Sequence, residues 1–304
     1  MYWTPITARE LIRVAAKSSL RGGVWSDLDM RCGRVSKLGI LAVNEAILHL
    51  KDGQSRAIRM PVGRELQGIF HYIRAPADTA GRTLRLQDLT GAAIDVAATD
   101  IAGLEVPPPH ALIRNFMTEA ELDQVLAFTL THAHAFQDAG TYEAPKPGES
   151  TKGRRSRILD GPANGAMAAL ILPKLQALMP KLWPQLGMSP LLLRNLECQI
   201  TAHGDGDYFA IHTDNSPPEI AYRRISYVHY FHREPKQFSG GHLCLYNTLL
   251  QDGYSKCGQL AADIDPPRNG LMIFPTHIYH RVSPIQSASG ALTDQRLTLN
   301  GWLF

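Results

Sequence analysis

The last third of this chain constrains its fold most. From about residue 191 to residue 304, after Pro190, short stretches alternate apolar and polar residues and are separated by turn signals. That pattern belongs to a sandwich or barrel of short strands, not to a helical bundle, whose apolar residues recur every three or four positions. Two helices precede it. Thr118-Glu119-Ala120-Glu121 forms a capping box ahead of Leu122, Val125, Leu126 and Leu130 at helical spacing, and a second helix is expected over about 164–181, carrying Leu170, Leu172 and Leu175. Residues 145–157, PKPGESTKGRRSR, read as an exposed, mobile, basic loop, with Arg154, Arg155 and Arg157 solvated on it.

The upstream part has a different texture. Residues 1–105 open with a helix-like segment that Thr7 could cap. Short apolar runs follow, Leu38–Val43, Ala46–Leu50, Ala57–Pro61 and Gly68–Ile73, broken by turn signals such as Asp52-Gly53 and Thr90-Gly91. This predicts a small β-rich domain. It holds no cluster of His, Cys or carboxylates, so a scaffold or docking role is expected for it. Pro107-Pro108-Pro109 is a stiff break, and it divides the chain into 1–105 and 106–304.

Composition removes several classes. With 44% hydrophobic and 19% charged residues, the 304-residue chain has material for a core. Its formal charge of +3 is too small to argue for a nucleic-acid partner. No apolar run is long enough for a signal peptide or a membrane span. Cys32, Cys198, Cys244 and Cys257 are far apart with no CxxC, which suits reduced thiols in a cytoplasmic protein. The oligomeric state stays open.

Chemistry concentrates late in the chain. Seven of the twelve histidines are His203, His212, His229, His232, His242, His277 and His280. In YFAIHTD, His212 and Asp214 share one face of a strand, because residues i and i+2 point the same way. One more histidine from another strand would complete a set of two imidazoles and a carboxylate, which favours non-haem Fe(II). His280 stands in His280-Arg281-Val282-Ser283-Pro284, and Arg296 follows in a strand-like RLTLNGW. His277 lies three residues from His280, an odd offset that turns it to the other face of a strand. His229, His232 and His242 are expected at the surface or around the site, with His242 the nearest candidate to the metal pocket. Cys244 is expected to pack as a small apolar residue.

The order Gly206-Asp207-Tyr208-Phe209, His212-Thr213-Asp214, Gly240-Gly241, His280-x-Val282-x-Pro284, then Arg296 resembles the Fe(II)- and 2-oxoglutarate-dependent dioxygenases, in particular their prolyl-4-hydroxylase-like branch. The resemblance covers roughly residues 110–304 and leaves the first hundred outside. It implies a mainly β (α+β) fold, a double-stranded β-helix or jelly roll with flanking helices. It implies Fe(II) on His212, Asp214 and His280, and 2-oxoglutarate held at its distal carboxylate by Arg296 and Tyr230. Thr298, Asn300 and Trp302 share the face of Arg296 by period two and are candidates for the same pocket. His203 departs from the family, which has tyrosine there; its imidazole could still contact the cosubstrate. The eight residues from Ser287 to Asp294 read as a loop insertion between strands.

The resemblance further implies oxidative decarboxylation of 2-oxoglutarate to succinate and CO2, coupled to hydroxylation of a C–H bond, with ascorbate a candidate reductant. Asp214 argues against the related halogenases, which lack this carboxylate. Trp302 argues against the nucleic-acid demethylases, which carry a second arginine there. Three functions follow: hydroxylation of a protein or peptide side chain, with proline the first candidate; hydroxylation of a free amino acid or natural-product intermediate; and a binding module without turnover.

Overall fold

The computed structural model describes residues 39–40, 45–60, 69, 71–73, 80–139, 153–161, 164–216 and 218–304. The helix expected after Thr7, Cys32 and the greater part of the 145–157 segment lie outside these residues.

Among the described residues two antiparallel sheets face each other. Their strands are β1 (Glu45–Leu50), β2 (Ser55–Arg59), β3 (Ile101–Val106), β4 (Ala111–Ile113), β5 (Arg154–Arg155), β6 (Arg157–Leu159), β7 (Leu196–His203), β8 (Tyr208–His212), β9 (Ile225–Tyr230), β10 (Leu243–Gln251), β11 (Tyr254–Ile264), β12 (Leu271–Pro275), β13 (His280–Val282) and β14 (Arg296–Leu303). One sheet runs β4–β12–β9–β14–β7–β6, edged by the short strands Gly39–Ile40 and Gln137–Asp138. The other runs β2–β1–β3–β10–β13–β8–β5, with β11 paired to β10. The spatial neighbours are far apart in sequence, and the two sheets make the expected jelly roll.

Period two decides which face of the first sheet does what. On β14, Leu297, Leu299 and Leu303 are buried in a core shared with the helices, while Arg296, Thr298, Asn300 and Trp302 line a cavity inside the roll. On β7, Ile200 and Ala202 join that core, and Gln199, Thr201 and His203 face the cavity. The helix α1 (Glu119–Thr131) and the helix α2 (Gly165–Leu182) cover the apolar face. The capping box forms: the Thr118 backbone N donates to Glu121 Oε2 at 2.8 Å, and the Glu121 backbone N donates to Thr118 Oγ1 at 3.3 Å. Leu122 and Val125 are buried, whereas Leu130 points outward. On α2, Met167, Ile171, Leu175, Met179 and Leu182 make the buried stripe. Fully burying a side chain of this kind is worth about 1.5–3 kcal/mol.

The N-terminal strands are joined edge to edge with the roll. β3 pairs with β10 over Gly103–Val106, and β1 pairs with β3. Glu105 on β3 is buried, and its Oε1 accepts from Asn247 Nδ2 at 3.0 Å and from the Gln259 backbone at 2.6 Å. A separate apolar cluster, including Leu48, Ile58, Ile69, Leu86, Val96 and Leu104, lies under these strands. The run Gly68–Ile73 corrects one expectation: Ile69 and residues 71–73 are helical, not extended. Ile69 and Ile73 are buried while His71 between them is exposed; a strand would put all three on one face, and a helix separates them.

Candidate metal centre

β8 and β13 are adjacent and antiparallel, and His212 stands opposite His280 in their register. Asp214 follows two residues after His212, and its backbone N donates to Thr276 O at 2.9 Å, which turns the chain inward. One ligand-type atom from each of His212, Asp214 and His280 falls within 4.8 Å of the others. Asp214 sits between the rings: Oδ1 is 3.4 Å from His212 Nε2 and Oδ2 is 3.4 Å from His280 Nε2.

The protein orients each of the three. His212 Nδ1 donates to Ala210 O at 2.8 Å and His280 Nδ1 donates to Ile278 O at 2.9 Å, so the lone pairs of both Nε2 atoms face the cluster. Ser226 Oγ donates to Asp214 Oδ2 at 2.6 Å. Phe209 stacks on the His212 ring with centroids 3.6 Å apart, and Phe274 meets His280 edge-on at 4.9 Å. Burial opposes ionisation of Asp214, but the two imidazoles and the Ser226 hydroxyl outweigh it and hold its carboxyl below the usual range. Burial, then the neighbouring His212, pushes His280 down to about 4, against the pull of Asp214. Two imidazole Nε2 atoms and a carboxylate therefore point at one place, an arrangement that suits a cation.

Arg296 and His203 line the same cavity, and each carries a buried nitrogen without a hydrogen-bond partner. Arg296 is 1% exposed; its Nε donates to Gly241 O at 2.7 Å, and its Nη2 is buried with no partner. Its Cζ is 5.1 Å from the ring centre of Tyr230, which is buried beside Arg296 in an apolar cluster with Leu243 and Phe274 and does not itself line the cavity. Both ring nitrogens of His203 are orphaned as well. Burial, then the Arg296 and Arg154 charges, holds His203 well below its ordinary pKa, in the neutral form. A desolvated guanidinium with a free Nη2 and a neutral imidazole with no partner on either nitrogen fit a carboxylate in this end of the cavity. Thr298 and Asn300 also line it but are tied together: Thr298 Oγ1 and Thr201 Oγ1 both donate to Asn300 Oδ1, at 3.0 and 2.8 Å. Gly241, at φ +67°, leaves room for Arg296; a Cβ there would come within 2.7 Å of Arg296 Cδ.

The other histidines go elsewhere. His229 Nε2 meets Asn269 Oδ1 at 3.2 Å, and His232 packs against Phe238 with centroids 5.1 Å apart. His277 is not in the cluster. His242 is half-exposed and does not line the cavity, at the surface rather than near the metal pocket; its Nδ1 bonds Asp263 Oδ1 at 2.8 Å, because the turn at Gly240-Gly241 sends it toward β11. Cys244 is buried, with its Sγ 3.5 Å from Asp263 Oδ1. The reading of Arg154, Arg155 and Arg157 as a solvated loop is overturned for the loop and for the solvation of Arg154, while Arg155 is exposed as expected, its side chain at 64%. All three lie on β5 and β6, and Arg154 lines the metal cavity with its Cζ 4.8 Å from the Phe209 ring centre. Ser226 was also missed; it lines the cavity with Val228, two residues further along β9.

Residues 198–304 match the 2OG-Fe(II) oxygenase superfamily. An uncharacterized PKHD-type hydroxylase of Synechocystis sp. is 31% identical over 198 residues, which are 65% of this chain and 64% of that protein. The chain thus matches slightly under two thirds of that relative's length. It is similar to a prolyl-4-hydroxylase of Pseudomonas putida, with 19% identity and a TM-score of 0.44 over 64% of this chain and 92% of the other. It is also similar to a prolyl hydroxylase of Trichoplax adhaerens solved with a hypoxia inducible factor peptide, with 17% identity and a TM-score of 0.45 over 65% and 84%.

Proposed function

We propose that this chain, which carries a 2OG-Fe(II) oxygenase superfamily segment in residues 198–304, is an Fe(II)- and 2-oxoglutarate-dependent hydroxylase of a protein or peptide side chain, with proline the first candidate. One observation carries this reading: three metal-type donors converge in the cavity that also buries a guanidinium whose Nη2 has no partner. His212, Asp214 and His280 would hold the iron. Arg296, Tyr230 and His203 would hold the far carboxylate of 2-oxoglutarate, with Thr298 and Asn300 along the wall. Together iron and cosubstrate supply the activation of dioxygen, which leaves succinate, CO2 and a hydroxylated product. The chain itself supplies orientation and a dry wall: Phe209, Leu243 and Val282 line the cavity and exclude water from the reacting centre.

A polypeptide substrate suits the approach, since the cavity shares Arg154, Gln199 and Trp302 with an open groove of about 660 Å³ beside α2. Residues 106–304 would form the catalytic domain, with the upstream strands as its lateral extension. No helix among the described residues is long and apolar enough to cross a membrane. A cytoplasmic setting suits the free thiols Cys198, Cys244 and Cys257.

The test is succinate release from 2-oxoglutarate with Fe(II) and ascorbate, followed by a search of peptide pools for a gain of about 16 Da, one oxygen atom. Fe(II)-dependent succinate that vanishes in His212→Ala supports the proposal. An unchanged rate in that variant, or no bound iron in the wild type, refutes it.

A further inference from the structure

Three hollows meet at one side chain. Arg154 lines the metal cavity, the groove beside α2, and a second open hollow of about 840 Å³ bordered by Asp138, Asp207 and Gln295. It is the one described residue common to all three. Anything lying in the grooves with one residue directed at the metal must pass its guanidinium.

The side chain is fixed, not free. Arg154 pairs with Phe209 across the β5–β8 ladder, its Nε donates to Ser156 Oγ at 2.7 Å, and its Cζ rests 4.8 Å from the Phe209 ring centre. That same ring stacks on His212. The neighbouring cations are already engaged: Arg155 pairs with Asp207 at 2.9 Å, Arg157 donates to Gln295 at 3.1 Å, and Arg223 pairs with Glu197. Among the described residues, Arg154 has no carboxylate within ion-pair distance. Its burial lowers the guanidinium to about 10, which the charge of Asp214 only partly offsets. The charges of the loaded site leave the same remainder. A ferrous ion and a keto diacid cancel, Asp214 cancels Arg296, and Arg154 is left over.

We propose that Arg154 seats a carboxylate of the substrate, so that the molecule oxidised carries an acidic group next to the reacting residue. This rests on the hydroxylase reading of the metal site. A planar fork held on an aromatic face binds a carboxylate bidentately, and partial exclusion of water strengthens the pair. The carboxylate can come from an acidic side chain in a peptide or from the α-carboxylate of a free amino acid.

The full chain, loaded anaerobically with Fe(II) and 2-oxoglutarate, should show a visible charge-transfer band that reports cosubstrate binding and shifts when substrate approaches the metal. The probes are acetylated proline-centred tripeptide amides with Asp or Glu beside the proline, their Asn and Gln twins, and free amino acids with their carboxamides. Acidic members should shift the band at concentrations at least about tenfold below their amide twins, as expected for a charge-assisted pair. Arg154→Gln should erase that preference, and Arg154→Lys should restore part of it, while half-saturation by 2-oxoglutarate stays the same in both. Preference among peptides assigns the seat to an acidic side chain; preference only among free amino acids assigns it to the α-carboxylate. A preference that survives Arg154→Gln, or a wild type without one, overturns the proposal. So does Arg154→Gln weakening 2-oxoglutarate itself, which would put the cosubstrate on Arg154. Absence of the band in the wild type would instead overturn the hydroxylase reading beneath it.

Discussion

His203 and Arg296 stand opposite each other in the β7–β14 ladder, and both enter the metal cavity with polar atoms that nothing described satisfies. Leaving such groups unpaired costs about 1–3 kcal/mol each, more for a charge, so a ligand that satisfies both recovers that cost. Arg296→Gln should raise half-saturation by 2-oxoglutarate at least about 100-fold, roughly 3 kcal/mol, the scale of losing one member of a buried charged pair. His203→Phe removes one neutral partner and should cost roughly 3- to 10-fold. Anaerobic titration of the Fe(II)-loaded protein measures both. Equal effects would contradict this division of labour between the two residues.

The metal donors can be separated from their neighbours by metal content after dialysis. His212→Ala, Asp214→Ala and His280→Ala should each lose more affinity than the roughly 10- to 100-fold that removing a partner of a metal ligand costs. Ser226→Ala, which deprives Asp214 of its 2.6 Å hydrogen bond, should fall in that lower range. His277→Ala should bind metal as the wild type does. A metal-free His277→Ala would move the third donor.

Gly241→Ala tests the packing beneath Arg296. The new Cβ would lie 2.7 Å from Arg296 Cδ on backbone at φ +67°, so both steric and backbone strain arise. A loss of about 1–3 kcal/mol is expected, which lowers Tm by several degrees in a chain of this size. Weaker 2-oxoglutarate binding, about tenfold, should accompany it because the guanidinium is displaced. Metal content should stay at the wild-type level.

Acid should destabilise the metal-free protein before its carboxylates titrate. Burial pushes His229, His232, His277 and His280 each down to about 4, whereas an unfolded histidine titrates near 6.5. Above about pH 6.5 both states are neutral and stability does not depend on these groups. Between about 6.5 and 4 the unfolded chain takes up protons that the folded one refuses, so stability falls as pH falls, by at most about 1.4 kcal/mol per imidazole per pH unit. Urea midpoints at pH 7.5 and pH 5 measure it; identical midpoints would contradict the burial argument.

What is legible in the sequence follows from the strand period. In β14 the alternation of Arg296, Thr298 and Asn300 with Leu297 and Leu299 is strong enough to sort cavity from core without coordinates. The same period puts His212 and Asp214 together. Arg154 is not legible, because its place depends on β5 pairing with β8 across more than fifty residues of sequence, and a run of arginines looks solvated in isolation. The choice between surface and site for His242 is not legible for a related reason: the left-handed turn at Gly240-Gly241 decides its direction, and its partner Asp263 comes from another strand. At Gly68–Ile73 the apolar spacing fits strand and helix alike, and only the exposure of His71 separates them.

The pairing of β3 with β10 has a consequence for anyone who would trim this protein to its chemistry. A fragment starting at residue 106 would strip Thr248–Gln251 of all but one of their partners on that flank and would take Glu105 away from Asn247 and Gln259. A bare ladder of unpaired amides recruits another such ladder. The shortened chain would therefore be prone to stack flank against flank into oligomers, and its losses would reflect poor colloidal behaviour with the cluster of His212, Asp214 and His280 itself untouched.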